Sequence, residues 1–319
     1  MKDFLSLKDL TPQQMGQLLL IAREVKERPG NFRNMLLEKS AVLLFEKQSL
    51  RTRLTFELGM KQLGGETVYF DTQDSRLGQR ESLYDVAKNL ERWFDCAVAR
   101  TFSHEAIEQL AEHAEIPVVN ALTDEEHPCQ ALADLFTLRE KLGETEGKRL
   151  AYVGDGNNVC VSLIHAAALC GMSFLAVTPP SHQPPESAKS DFERLRSSPQ
   201  VDYRWSPSLD DLHGSEAVYT DTWVSMGQEN EAEQRMAAFQ KYQVTEEVMR
   251  QAGKAAFFMH CLPAHRNQEV VDSVIDSSAS LVYDQAENRL HVQKAVLLTL
   301  MAPKEMGRYL HLAKWAATR

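Results

Sequence analysis

Short apolar runs alternate along this chain with segments whose apolar residues recur at helical spacing. The run Ser40–Phe45 is followed by Leu54, Phe56 and Leu58, which is the pattern of a buried strand and then a helix with one buried face. The same pattern predicts strands near residues 40–46, 66–70, 96–101, 116–121, 149–153, 173–178, 201–205, 216–220 and 255–259. It predicts helices near residues 51–63, 82–93, 103–113, 128–142, 158–170, 186–197 and 289–301, after an opening helix at Thr11-Pro12.

Strands that alternate with helices indicate parallel sheets covered on both faces. The predicted fold class is α/β, with two domains that are each a parallel sheet flanked by helices. The polar, glycine-bearing segment Gly143–Lys148 predicts the boundary, with one domain over residues 1–145 and the other over 146–319. A last helix, about 289–319, is expected to pack back on the first domain.

Composition narrows the class of protein. The 319 residues, 43% of them hydrophobic, suffice for two buried cores. No apolar stretch approaches the ~20 residues of a membrane span, and no signal-peptide core follows Met1, so a cytoplasmic location without a membrane partner is expected. A net charge of −10 argues against nucleic acid as a partner. The five cysteines are scattered, which predicts free thiols and argues against structural zinc.

The junction between the first strand and its helix carries a candidate anion site. Ser49-Leu50-Arg51-Thr52-Arg53 places two hydroxyls and two arginines at a helix N-terminus, where unpaired N–H groups and the helix dipole favour a phosphate. Guanidinium groups can bind the phosphate oxygens bidentately. An ordinary capped helix with solvated arginines is an equally good explanation of these residues on their own.

Further candidates stand where other predicted strands end, which is where open α/β sheets gather their ligands. Arg100 ends one strand, and His127 and Gln130 stand three residues apart at a helix start that Pro128 fixes. A neutral imidazole and an amide suit a carbonyl and an amine. The alternatives are a solvated strand-end arginine and a histidine that only caps its helix.

The second predicted domain opens with a glycine-bearing turn, Gly154-Asp155-Gly156-Asn157-Asn158. It is similar to a dinucleotide fingerprint, but Val159 takes the place of the last glycine. A nicotinamide cofactor is therefore not favoured, and the paired asparagines suit hydrogen bonds to a ligand at a helix start. Farther along, Asp221 ends a strand with a carboxylate that can hold an ammonium group, and the turn after it offers Ser225.

A last strand runs into a proline-containing turn that carries His260, Cys261 and His265. Read as metal ligands, these residues lack a fourth group and a suitable spacing. Read as a catalytic thiol, Cys261 has no base that the sequence identifies. The segment Glu287-Asn288-Arg289 precedes the last predicted helix and adds one more arginine.

Together these motifs resemble the aspartate/ornithine carbamoyltransferase family in order and approximate spacing, over about residues 2–303. The motifs that carry the resemblance are Ser49–Arg53, His127–Gln130, Asp221–Gly227, His260–Pro263 and Glu287–Arg289. The Ser-Met-Gly turn and the His-Cys-Leu-Pro motif are similar to those of the members that act on ornithine. Five motifs in register are far stronger evidence than any one of them.

The resemblance implies that carbamoyl phosphate and L-ornithine give L-citrulline and phosphate, in arginine biosynthesis or in the reverse, catabolic pathway. It implies a homotrimer and no metal or organic cofactor. For carbamoyl phosphate it implies contacts from Ser49, the Leu50 backbone, Arg51, Thr52, Arg100, His127, Gln130, Leu262 and Arg289. For ornithine it implies contacts from Asn158, Asp221, Ser225, Met226 and Cys261. The implied catalytic residues are Arg51, Arg100, His127, Asp221, Cys261 and Arg289.

Two positions depart from the family's common pattern. Leu50 stands where many members have threonine or glycine, so that only its backbone can bind phosphate. Gln79 takes a position that is often lysine in a loop that reaches a neighbouring subunit, and Arg80 can substitute for that lysine. The alternatives that stay open are another acceptor amine (N-acetylornithine, putrescine or aspartate) and a non-catalytic ligand-binding paralogue.

Overall fold

The computed structural model describes residues 1–72 and 76–317, and of residues 312–317 it describes the backbone alone. The strands are β1 (Ser40–Phe45), β2 (Glu66–Asp71), β3 (Cys96–Arg100), β4 (Val118–Leu122), β5 (Arg149–Val153), β6 (Ser173–Val177), β7 (Tyr203–Ser206), β8 (Ala217–Thr220) and β9 (Phe257–His260). Each lies within about two residues of a strand that the apolar runs predict.

The longer helices of the first half are α1 (Pro12–Glu27), α2 (Leu50–Gln62), α3 (Leu83–Trp93), α4 (His104–His113) and α5 (Pro128–Leu142). Those of the second half are α6 (Asn158–Leu169), α7 (Glu186–Leu195), α8 (Ala232–Phe239), α9 (Glu246–Ala252), α10 (Asp272–Ile275), α11 (Val282–Met301) and α12 (Pro303–Ala317). None of the described helices combines the length and the apolar character that a membrane span needs.

The strands form two parallel sheets, one with the order β2-β1-β3-β4 and the other with the order β7-β6-β5-β8-β9. Every residue of the central strand β3 is buried, whereas the edge strand β2 is half-exposed. Central strands covered by helices on both faces lose their polar alternation, which is why apolar runs predicted them. The predicted fold class is confirmed.

The chain divides into two compact units. The first unit contains residues 1–6, 16–124 and 289–319, and the second contains residues 7–15 and 125–288. The C-terminal helical segment thus belongs with the first sheet, as the predicted fold class has it. The boundary placed near residue 145 stays a prediction.

The end of the chain differs from the single helix predicted near residues 289–319. Helix α11 begins at Val282, so Glu287, Asn288 and Arg289 lie within it and do not precede it. Its first turns escape an apolar pattern because most of their buried side chains are polar: Asn288, for example, donates a 2.8 Å hydrogen bond to Thr137. A proline clashes with the preceding turn of a helix, and α11 accordingly ends before Pro303, the first residue of α12. Residues 318 and 319 lie outside the described residues.

Candidate active site

The first unit presents the N-terminus of α2 directly after β1. Ser49 has extended backbone angles and caps the helix, because its Oγ accepts a 3.2 Å hydrogen bond from the Thr52 amide. The first turn of α2 therefore has its N–H groups and the positive end of its dipole at the predicted phosphate motif. Arg51 is half-buried in this turn, while the Leu50 side chain is 71% exposed.

Two buried guanidinium groups belong to the same unit as this helix start. Arg100 is the last residue of β3 and pairs in register with Phe45, the last residue of β1. Arg289 reaches α2 from the distant helix α11, and its Nη2 donates a 2.9 Å hydrogen bond to Oγ1 of Thr52. Guanidinium groups bind the oxygens of phosphate and similar anions bidentately, so arginines at the end of β3 and on α11 suit an anion.

A carboxylate that the sequence analysis did not single out holds the neighbouring loops. Glu46 is buried, and its two oxygens accept hydrogen bonds from the amides of Leu77, at 2.8 Å, and Phe102, at 2.9 Å. It thereby ties the loop after residue 76 to the end of β3. In that loop Gln79 and Arg80 are both exposed. Only the position of Glu46, directly after a buried strand, could have signalled its role.

In the second unit, His127 and Gln130 begin helix α5. The His127 side chain makes no capping hydrogen bond; its backbone amide donates to Oγ of Ser162 at 2.8 Å. Nε2 of Gln130 donates to Oδ1 of Asp134 at 2.9 Å. Because an ionised carboxylate only accepts hydrogen bonds, this contact fixes which end of the Gln130 amide faces Asp134.

Asp134 is a fully buried hub of hydrogen bonds. Besides Gln130, it accepts a 2.8 Å bond from Gln285 and a 3.0 Å bond from the hydroxyl of Tyr219. Gln285 in turn accepts a 3.1 Å bond from the amide of His260, at the end of β9. Asp134 thus ties the start of α5 to β8 and β9. The signal in the sequence is an acidic residue one turn after Gln130, among the apolar residues of the first half of α5.

Asp221, Cys261 and Asn157 come together at the ends of three neighbouring strands. Oδ1 of Asp221 accepts hydrogen bonds from Sγ of Cys261 and from the Thr222 amide, at 2.9 and 2.8 Å. Oδ2 accepts a 2.8 Å bond from the side chain of Asn157, which also caps α6. The structure therefore brings together the predicted Asp221 and Cys261, and it adds Asn157, which belongs to the predicted asparagine pair but not to the set that the family resemblance implies. Asn158 is half-buried in the first turn of α6.

Tyr152 completes this cluster from β5. Its hydroxyl donates a 3.2 Å hydrogen bond to Oδ1 of Asn157, which caps two amides of α6 with the same oxygen. Burial, reinforced by the Asp221 carboxylate, raises the pKa of Tyr152 well above its usual range. The tyrosine is therefore a neutral hydrogen-bond donor at physiological pH.

The turn after β9 is built around His260. Leu262 has a positive φ of 57°, and its amide donates a 2.8 Å hydrogen bond to Nδ1 of His260. Nε2 of the same ring lies 3.1 Å from the buried carboxylate of Glu269. Because Nδ1 accepts, the proton of the neutral ring is on Nε2. These bonds direct the ring of His260 towards the turn and hold the backbone of Leu262.

The metal-ligand interpretation of this turn involves a different group from the one that the sequence suggested. Ligand atoms of Asp221, His260 and Cys261 lie within 4.8 Å of one another, and His265 is not part of this group. Both ring nitrogens of His260 are already engaged, by Leu262 and Glu269. A metal ion would have to displace one of those hydrogen bonds, so the donor set fits a hydrogen-bonded cluster better than a cation site.

The segment after Asp221 is held by a buried ion pair. Ser225 is half-buried and Met226 is exposed. Arg235, on helix α8, donates a 2.6 Å hydrogen bond from Nε to the carbonyl of Trp223 and pairs with the carboxylate of Asp155. The pair links the Ser225 turn to the turn that follows β5.

The surroundings of Gly156 account for a glycine in this turn without any bound dinucleotide. A side chain at this position would lie 2.3 Å from the backbone nitrogen of Pro184. The close approach that the glycine permits is made by the chain's own backbone, whereas in a dinucleotide fingerprint the ligand makes it.

Comparison with known proteins identifies the family that this chain resembles over most of its length. The carbamoyl-P binding domain of aspartate/ornithine carbamoyltransferases matches residues 2–140, and the Asp/Orn binding domain matches residues 146–300. The chain is 47% identical over 302 residues to an ornithine carbamoyltransferase of Shewanella oneidensis, which covers 95% of this chain and 100% of the relative.

Solved structures show the same likeness. The ornithine carbamoyltransferase from Pyrococcus furiosus superposes with a TM-score of 0.90 at 41% identity, covering 94% of this chain and 97% of that one. The enzyme of the same name from Thermus thermophilus gives a TM-score of 0.85 at 41% identity, over 94% of this chain and 99% of the other.

Proposed function

The chain belongs to the aspartate/ornithine carbamoyltransferase family, and we propose that it transfers the carbamoyl group of carbamoyl phosphate to the δ-amine of L-ornithine, giving L-citrulline and phosphate. The observation that carries the choice of acceptor is the Asp221 carboxylate, held by Asn157 and Cys261 at the strand ends. A buried, oriented carboxylate suits the cationic amine of an amino acid.

The first unit supplies groups for the phosphate. In the proposal Ser49, Arg51 and Thr52 bind phosphate oxygens at the start of α2, with the Leu50 backbone amide and Arg100. The exposed side chain of Leu50 supports a backbone role for this position. Arg289 acts with Thr52 near the carbonyl oxygen, and the 2.9 Å hydrogen bond between them supports a shared task.

The second unit supplies groups for the carbamoyl moiety and for ornithine. His127 donates to the carbonyl oxygen. Gln130 and the Leu262 carbonyl accept hydrogen bonds from the carbamoyl NH2 group. The contact of Gln130 Nε2 with Asp134 supports this orientation, because it directs the nitrogen of the amide towards Asp134 and leaves an acceptor oxygen at the other end of the amide. The amino-acid end of ornithine binds Asn158, Ser225, the Met226 backbone and Asp221.

The reaction forms one bond and breaks one bond. The δ-amine loses a proton and attacks the carbamoyl carbon, which builds negative charge on the carbonyl oxygen. The carbon–oxygen bond to phosphate then breaks, phosphate leaves with the electron pair, and the attacking nitrogen gives up its extra proton to the departing phosphate. Preorganised donors such as Arg289 and His127 stabilise the developing charge by about 3 kcal/mol each in comparable sites. Cys261 and Asp221 direct the nitrogen lone pair at the carbon.

A panel of acceptor amines tests the proposal. The chain is incubated with carbamoyl phosphate and ornithine, N-acetylornithine, putrescine or aspartate, and the ureido product is measured. Ornithine should give the highest kcat/KM, because Asp221 can pair with a free amino group and an acylated amine cannot make that pair. A higher value with another amine would redirect the substrate assignment, and carbamoyl phosphate binding without any product would indicate a non-catalytic paralogue.

An exposed apolar stripe supports a homotrimer. Leu50, Leu54 and Leu58 recur every fourth residue on α2 and are 71%, 52% and 44% exposed, so they share one helix face. Neighbouring exposed leucines are typical of a protein interface, and in a threefold ring each stripe packs against a different surface of the next chain. We further propose a place in arginine biosynthesis and a cytoplasmic location, which the free cysteines among the described residues support.

A further inference from the structure

A buried histidine on α6 lies between two carboxylates. His165 is 1% exposed; its Nδ1 is 3.3 Å from Oε1 of Glu126, and its Nε2 is 3.4 Å from Oδ2 of Asp191. Glu126 is itself buried, and Asp191 on α7 is partly exposed and paired with Arg194 at 2.7 Å. The group lies behind the start of α5, and the proposed reaction gives it no role.

Glu126 leads from this histidine to the carbamoyl-binding end of α5. Its second oxygen accepts a 2.8 Å hydrogen bond from the hydroxyl of Ser162, one turn before His165 on the same helix. The Ser162 oxygen accepts a 2.8 Å bond from the backbone amide of His127. The donors and acceptors therefore run in one direction, from the His127 amide through Ser162 to Glu126.

The acceptor character of the two carboxylates determines what each ring nitrogen of His165 can contribute. An ionised carboxylate only accepts, so a nitrogen contributes to either contact only when it carries a proton. The buried Glu126 carboxylate accepts the Ser162 hydroxyl at one oxygen. Nδ1 of His165 faces the other oxygen at 3.3 Å without the geometry of a full hydrogen bond, so a proton on Nδ1 stabilises this carboxylate electrostatically.

We infer that His165, Glu126 and Ser162 are positioning residues that set the place of His127 for the carbamoyl group, an inference that rests on the proposed function. His165 holds Glu126 through Nδ1, Glu126 orients the Ser162 hydroxyl, and that hydroxyl holds the His127 amide at the start of α5. Asp191 steadies the far side of the ring. The network touches neither Asp221 nor Cys261, so its effect is specific to carbamoyl phosphate.

Two substitutions of His165 distinguish this positioning role from a contribution to packing alone. The amide nitrogen of asparagine takes the place of Nδ1, and that of glutamine takes the place of Nε2. His165→Asn therefore keeps a donor for Glu126, and His165→Gln keeps one only for Asp191. We expect H165Q to raise the KM for carbamoyl phosphate by about tenfold, H165N to raise it much less, and neither to change the KM for ornithine.

Ser162→Ala is the second variant, in case the histidine variants fold poorly. It removes the acceptor of the His127 amide and should reproduce the rise seen with H165Q. His213→Gln, at an exposed histidine of the same unit, is the matched control. Direct binding of carbamoyl phosphate by calorimetry accompanies the kinetics, and far-UV circular dichroism confirms folding.

The outcomes distinguish the two hypotheses. If the wild-type chain does not bind carbamoyl phosphate, the proposed function is overturned and the positioning role with it. If the wild type binds but H165N and H165Q lose affinity equally, or H165Q and S162A both retain it, only the positioning role is overturned. A rise in the KM for ornithine that equals the rise for carbamoyl phosphate would also contradict it.

Discussion

Arg289 and Thr52 are 237 residues apart in the chain and are joined by a 2.9 Å hydrogen bond from Nη2 to Oγ1. Both side chains are buried. The Thr52 amide is bound by the Ser49 cap, so this threonine connects the cap of α2 to a guanidinium of α11. In the proposed reaction the same hydroxyl and guanidinium face the carbonyl oxygen and the phosphate.

Thr52→Val tests this contact with little change in side-chain shape. Valine leaves the buried Arg289 without this acceptor, which should lower the free energy of unfolding by about 2 kcal/mol. The affinity for carbamoyl phosphate should fall by at least tenfold, since both groups are assigned to it. Urea unfolding measures the first effect and calorimetric titration the second.

Thr55→Val is the control for that substitution. Thr55 lies on the same helix, and its hydroxyl bonds back to the carbonyl of Arg51 at 2.6 Å. Losing this local bond leaves Arg289 in place, so the affinity for carbamoyl phosphate should stay close to the wild-type value. Equal losses in the two variants would contradict a special role for Thr52.

Cys261 tests the acceptor side of the site. Its Sγ donates a 2.9 Å hydrogen bond to Asp221. Cys261→Ala removes this donor, and Cys261→Ser replaces the thiol with a hydroxyl donor on a shorter side chain. We expect C261A to lower kcat/KM for ornithine by about tenfold or more and C261S to lose less. The KM for carbamoyl phosphate should change little in either variant, as initial rates of citrulline formation can show.

Cys170→Ser provides a matched thiol control. Cys170 follows α6, and burial raises the pKa of its thiol to about 12, so it is neutral and inert at physiological pH. Its replacement should leave both KM values unchanged. An effect as large as that of C261A would show that the loss reflects general damage to the unit.

Much of the fold could be predicted because the strands are continuous apolar runs. Strand β1, with Ala41–Phe45 all buried, is an example. Asp221 and Cys261 could be singled out because each follows such a strand, and their contact follows from the neighbouring positions of β8 and β9. The pairing of Thr52 with Arg289 could not be predicted, because no local sequence pattern reveals a hydrogen bond between residues 237 positions apart.

Buried polar networks were the part that sequence patterns could not reveal. Helix α11 was predicted seven residues short because Gln285 and Asn288 are buried against α5 through hydrogen bonds, where a pattern of apolar residues was expected. Arg235 likewise looks like a solvated charge in the sequence, yet it is buried against Asp155. A sequence pattern assigns a polar residue to the surface unless its hydrogen-bond or ionic partner is known.

Asp134 should be sensitive even to an isosteric change. Gln130, Gln285 and Tyr219 all donate hydrogen bonds to the Asp134 carboxylate. Asp134→Asn replaces one of the two acceptor oxygens with an NH2 donor, so at least one of these buried donors loses its partner. Burial, with the nearby Asp134 carboxylate, raises the pKa of Tyr219 well above its usual range, which keeps its hydroxyl a donor. We expect a loss of about 3 kcal/mol in the free energy of unfolding, measured by urea denaturation.

Tyr219→Phe gives the comparison for D134N. It removes the Tyr219 donor and leaves the carboxylate with Gln130 and Gln285, so the loss should be closer to about 1 kcal/mol. If Y219F cost as much as D134N, the stability would reside in the tyrosine contact and not in the hub.

Asp155 should make stability depend on pH. Burial raises its pKa from 3.8 to about 6, although the Arg235 guanidinium opposes the rise. Between these two values the folded chain holds a proton that the unfolded chain has lost, so the contribution of Asp155 to stability falls as the pH rises. Relative to Asp155→Asn, the wild type should lose about 1.4 kcal/mol per pH unit within this window.

Asp202→Asn controls the sign of that slope. Partial burial is the largest single effect on Asp202 and opposes the shift, but hydrogen bonds from Arg204 and Ser173 and the charges of Arg204 and Arg149 together outweigh it and lower the pKa of Asp202. The contribution of Asp202 to stability is therefore lost as the pH falls. Urea unfolding across the acidic range should therefore give the wild type opposite slopes relative to D155N and D202N. Parallel slopes would contradict the assignment to Asp155.

The leucine stripe on α2 should control assembly. Leu54→Asp places a charge in the middle of the stripe of Leu50, Leu54 and Leu58, and burying an unpaired charge in an apolar interface is strongly unfavourable. Light scattering should give the wild type three times the 36.1 kDa chain mass, and L54D the mass of one chain. Leu37→Asp, at a leucine that is 61% exposed and does not belong to α2, should leave the mass unchanged. A wild type that scatters as one chain would refute the trimer, and an L54D variant that stays trimeric would place the interface elsewhere.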